Sequence, residues 1–102
     1  MELRTLTIPI KGIYFDEIKH GQKKIEYRLR TDFWIKRLRC REYDQIVLTR
    51  GYPKGGGIEG VTRLTREWRS FTCGTIRHPH FGPETVDVYC IDVSTPAQGP
   101  TP

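Results

Sequence analysis

The sequence predicts a small α+β protein, a β-barrel of about five to six strands carrying two short helices. Three observations lead there. The 102 residues form one domain with enough surface to bury a core without staples. Five segments are β-branched, alternating or continuously apolar. Only two stretches space apolar residues like a helix, and both lie in the first half of the chain.

The elements follow in order. LRTLTIPI (3–10) alternates as a strand, with Pro9 near its end. GIYFDEIKHG (12–21) places Phe15 and Ile18 one helical turn apart. Lys19 and His20 stand where a helix end favours cations, and Gly21 is the stop. KKIEYRLR (23–30) reads as a half-buried strand, Ile25, Tyr27 and Leu29 pointing one way and Glu26, Arg28 and Arg30 the other. Thr31 or Asp32 caps a short helix in which Trp34 and Leu38 form an apolar pair. YDQIVLTR (43–50) and IEGVTRLTREW (58–68) read as strands joined by a glycine-rich loop. VDVYCIDV (86–93) is apolar enough to be central and buried on both faces. The domain is expected over 1–93, and STPAQGPTP (94–102) as a flexible tail.

Composition narrows the class of function. With 36% hydrophobic and 28% charged residues the chain reads as globular. No apolar run approaches the roughly 20 residues that cross a bilayer. The charged start, MELRTLTIPIK, predicts no secretory leader and a cytoplasmic protein. Three cysteines without a CxxC pair predict no disulfide framework. The net charge of +5 is concentrated: residues 28–41 hold six basic side chains against Asp32, and the remainder balances. A positive patch on a neutral body suits a polyanion, and it also suits a solvated helix face.

Several familiar motifs fail on mechanism. Gly55–Gly60 fits GxGxxG, but the β-branched VTRLT follows where a dinucleotide site needs a helix. No Lys-Ser/Thr pair follows the glycines, which excludes a P-loop. Cys73, His78, His80 and Cys90 lack zinc-site spacing, and no GxSxG elbow is present. No metal and no cofactor are therefore expected.

The informative block is YFDEIKHGQKKIEYR. Glu26 and Arg28, two apart on one strand, project from one face, and Lys23 reaches the same place from the turn before it. Together they offer an acid or base, a charge partner and an anion clamp; the same pattern also suits an exposed salt bridge contributing about 1 kcal/mol or less. Trp34, Tyr27, Tyr52 and Trp68 lie near arginines, a mixture that stacks bases and holds phosphates. Trp34 and Tyr27 suit the core equally, whereas Tyr52 on its glycine-rich loop is the better exposed. Arg37 and Arg50 are candidates for a phosphate-facing rim. His78 and His80 flank Pro79 in a loop where histidines are usually solvated.

In this block the chain resembles the ASCH domain family, small β-barrels related to the PUA fold of RNA-binding modules. The family signature GxKxxExR is matched by Gly21, Lys23, Glu26 and Arg28. DFWIKRLRCREYDQIVLTRGYP and HPHFGPETVDVYCID are similar to further segments of short prokaryotic and phage-type members, so the resemblance spans residues 5–93. It implies binding of RNA or a modified nucleoside, with hydrolysis of RNA or of an acylated cytidine among the family's activities. In the deacylating members the lysine is catalytic, aided by a hydroxyl three residues on and by a remote carboxylate. Here Lys23 holds the lysine position and Glu26 the hydroxyl position; Glu59 and Glu67 are candidates for the carboxylate by elimination. The expected catalytic set is Lys23, Glu26 and Arg28. Arg30, Trp34, Lys36, Arg37, Arg50 and Tyr52 are expected to contact nucleic acid. The alternative is a non-catalytic regulator that binds nucleic acid or protein through the same basic surface.

Overall fold

The computed structural model describes residues 2–39 and 41–97. The element order is β1 (Thr5–Ile10), α1 (Gly12–Lys19), β2 (Ile25–Leu29), α2 (Asp32–Leu38), β3 (Gln45–Arg50), β4 (Arg63–Glu67), β5 (Phe71–Ile76) and β6 (Val86–Asp92). Single 3-10 turns occupy Lys54–Gly56 and Pro79–Phe81.

The strands form two three-stranded sheets, β1-β3-β4 and β2-β6-β5. β1 runs parallel to β3, from Thr5 beside Gln45 to Ile10 beside Arg50. A parallel pair requires a long crossover, and here α1, β2 and α2 supply it. β6 is the centre of the second sheet, with Glu26 opposite Ile91 and Phe71 opposite that same residue on the other side. Among the described residues no ladder closes the two sheets into a barrel. Backbone hydrogen bonds link them at one corner, where the chain leaving β6 crosses to β4: Glu67 donates its N–H to the Thr95 carbonyl at 2.8 Å, and Ala97 to that of Thr65 at 3.1 Å. The first part of the expected tail is therefore paired, and residues 98–102 lie outside the described residues.

The core follows the alternation of the sequence. Leu6, Ile8 and Ile10 of β1 face inward, and Phe15 and Ile18 of α1 cover them with Ile46, Leu48, Tyr89 and Ile91. β3, the centre of its sheet, is buried continuously from Ile46 to Thr49, with Ile46 and Leu48 in the core.

Three further expectations change. β4 begins only at Arg63, since 58–62 turns and leaves Val61 exposed. β5 is not anticipated, because FTCGTI carries a mid-strand glycine and several exposed positions that hide its period. Most consequential is β2, whose charged face is turned inward: Glu26 is 6% exposed, whereas Leu29 is 37% exposed.

Candidate functional site

The inward turn of β2 starts with a helix end. α1 stops at His20, whose Nδ1 lies 2.8 Å from the Asp16 carbonyl. Gly21 takes φ 76°, a left-handed conformation costly to any residue with a Cβ. The backbone then folds back so that the N–H groups of Gln22 and Lys23 both donate to the Glu17 carbonyl, at 2.8 and 3.1 Å. That closed turn aims Lys23 at the strand it precedes.

Glu26 lies between two cations. Its Oε2 forms an ion pair with Arg28 Nη2 at 2.8 Å, and its Oε1 is 3.7 Å from Lys23 Nζ. Burial pushes the Glu26 carboxyl above its ordinary value, and the charges of Arg28 and Lys23 pull it partly back. Arg28 Nη2 also donates to the Pro9 carbonyl at 3.0 Å. Pro9 is on β1, an edge strand, so its outward carbonyl has no ladder partner to displace. One guanidinium thereby ties the two sheets together. The Lys23 ammonium is enclosed by rings, 4.7 Å from the centre of Tyr27 and 5.5 Å from that of Tyr14.

These groups line a cleft of about 480 Å³, within the range of roughly 300–1,000 Å³ that small ligands occupy. Trp34 lines it from α2, with Arg28 5.3 Å from its ring centre, and Tyr52 lines it from the loop after β3. Tyr27 belongs to the same wall. Glu26 is its sole carboxylate among the described residues, so the lining carries net positive charge from Lys11, Lys23 and Arg28.

The far wall comes from two histidines whose loop suggests solvated side chains. His78 and His80 both line the cleft, and Tyr14 meets them edge-on with centroids 5.8 and 5.7 Å away. His78 Nδ1 accepts the His80 backbone N–H at 3.1 Å. The imidazole proton of His78 therefore resides on Nε2, making the ring a donor. Partial burial, and then the charges of Lys11, His78, Arg28 and Lys23, hold His80 below the ordinary histidine value. The available signal was HPH itself, since a proline between two histidines sets a tight turn that presents both rings together.

Other expected residues are placed outside the cleft. Arg50 lies along α1 with Nε and Nη2 each 3.3 Å from the two carboxylate oxygens of Asp16. This is possible because residue 12 is glycine: a Cβ there would meet the guanidinium at 2.6 Å. Arg37 stacks on Phe33, 3.3 Å from the ring centre, and Arg30 lies 5.9 Å from the centre of the Tyr89 ring. Lys36 is exposed on α2. Trp68 packs edge-on to Tyr43 at 5.1 Å, against the core. Neither candidate for a remote carboxylate reaches the cleft: Glu59 accepts from the backbone and hydroxyl of Thr65 at 2.8 and 2.6 Å, and Glu67 is exposed on β4. Cys73 and Cys90 are free thiols. No helix among the described residues is long and apolar enough to cross a membrane.

Comparisons with protein-family models, curated proteins and solved structures found no match to this chain.

Proposed function

We propose that this chain is an ASCH-type, PUA-like domain that binds RNA or a modified nucleoside in the cleft around Lys23, Glu26 and Arg28. The observation that carries the reading is the convergence of those three side chains, two of them cationic, in a concavity walled by Tyr14, Tyr27 and Trp34. Flat rings accept the face of a base, half-buried donors and a buried acceptor read its edge, and the excess positive charge favours a phosphate. α2 and the short link leading into it carry Arg30, Lys36 and Arg37, on the Trp34 side of the cleft, where they draw a polyanion in. The cytoplasm is the compartment that suits this role.

Hydrolysis is the second reading, and the Lys23–Glu26 contact favours it. Lys23 acts as base or nucleophile, Glu26 carries the proton, and Arg28 stabilises developing negative charge. Incubation with single-stranded RNA and with an N-acylated cytidine tests both. The binding reading expects salt-sensitive association with RNA that Trp34→Ala weakens by ~5-fold or more, the usual contribution of one stacked base. The hydrolytic reading expects turnover that Lys23→Ala abolishes. Binding without turnover leaves a non-catalytic module, and failure to bind either ligand overturns the reading.

A further inference from the structure

A second cavity, of about 290 Å³, adjoins the cleft. Both are lined by Tyr14, Lys23, Tyr27 and His78, so these four residues form the wall between them. What the second cavity adds differs in kind: Glu17, Gln22, Lys24 and Ile25 in place of the rings and the buried acid of the cleft. Gln22 and Lys24 are exposed. Their backbone is held by the closed turn at the end of α1, so the two side chains spring from a fixed frame. Lys23 and Lys24 outweigh Glu17, leaving the small cavity positive. Alone it sits just under the size of an ordinary ligand site, but as an extension of the cleft it lengthens the concavity in one direction.

The direction is informative. Thr31, Trp34 and Tyr52 line the cleft and take no part in the second cavity, which therefore opens at the end away from α2. The sequence of surfaces is a basic helix, an aromatic cleft, and a small polar cationic hollow. A free nucleoside needs only the middle one. Resting on the nucleic-acid reading above, we propose that the ligand is a single-stranded RNA segment: one base enters the cleft, and the ribose and phosphate next to it lie in the second cavity beside Gln22 and Lys24. The wall of Tyr14, Lys23 and Tyr27 separates base from backbone. Polarity assigns the occupants, since rings match a base and a mobile ammonium matches a phosphate as a point charge.

The test compares ligands of increasing length on the intact chain. Calorimetric titration with the four ribonucleosides and the four homopolymeric RNA hexamers gives the gain per base type, and repeating it at several salt concentrations counts phosphates. A hexamer is expected to bind at least tenfold more tightly than its nucleoside. Lys24→Ala and Gln22→Ala, the latter without a change of charge, are each expected to narrow that gap. For Lys24→Ala the plot of log affinity against log salt becomes shallower by about 0.7, the value of one phosphate contact on a single strand. A native gap and salt slope in Lys24→Ala overturn the second subsite while nucleoside binding, sensitive to Trp34→Ala, keeps the cleft reading intact. Equal affinity for nucleoside and hexamer likewise overturns it. Absence of binding by every ligand removes both proposals together.

Discussion

Arg28 Nη2 lies 2.8 Å from Glu26 Oε2 on its own strand, as an ion pair, and donates to the carbonyl of Pro9 on the edge of the other sheet at 3.0 Å. The Glu26–Arg28 pair is thus a joint between sheets as well as part of the cleft, and its loss affects stability and ligand binding by separate routes. Glu26 is the counter-charge for two cations that are themselves largely withdrawn from water, with side-chain exposures of 13% for Lys23 and 25% for Arg28.

Glu26→Ala leaves those cations without their counter-charge, and the expected loss is about 2–4 kcal/mol, measured by urea unfolding. Glu26→Gln is milder and reports on protonation. Burial raises the Glu26 carboxyl in the fold, so the folded state holds that proton more tightly than the unfolded chain does. Its contribution is complete below the unfolded-state value, near 4.3 for an ordinary glutamate, and is lost as pH rises through the folded-state value. The melting temperature of the native chain should therefore gain on that of Glu26→Gln as the pH falls from neutrality. A difference moving the other way would mean that the two ion pairs outweigh burial.

His80 carries the opposite sign. Its folded-state value is lowered, so its contribution is present above the ordinary histidine value and lost as pH falls through the folded one. A phosphate held in the adjoining cavity, beside Lys23, offsets the influence of that ammonium on the His80 ring. Binding of a nucleoside monophosphate should then take up a proton and strengthen as the pH falls toward and below the ordinary histidine value. Calorimetry in two buffers of different ionisation heat measures the uptake, and His80→Asn should abolish it. An uptake that persists in His80→Asn would place the proton elsewhere.

Tyr89 gives a test of the core beneath the site. Its side chain is fully buried against Phe71, ring centroids 5.2 Å apart, and its hydroxyl has no hydrogen-bond partner among the described residues. Removing an unpaired buried hydroxyl while keeping the ring should stabilise the fold by about 1 kcal/mol. Chemical denaturation of Tyr89→Phe checks this, and a destabilised variant would show that the hydroxyl is satisfied in solution.

Local rules made much of this protein readable in advance. The alternation of β1, the glycine stop of α1, the apolar run of β6 and the spacing of Lys23, Glu26 and Arg28 depend on neighbours a few residues away, and each is visible in one stretch of chain. Facing and partnership depend on residues far apart. Nothing within 23–30 says that Glu26 looks inward, because period two defines two faces without saying which is covered; the carbonyl of Pro9 and the cations around Glu26 make the charged face the buried one. The same holds for Arg50, which Asp16 claims across 34 positions once Gly12 leaves room, and for the histidines of HPH, which meet Tyr14 only after β5 and β6 have carried them back to α1. Short-range sterics and hydrophobic period choose the elements. Which polar groups end up sharing a low-dielectric space is an outcome of packing the whole chain.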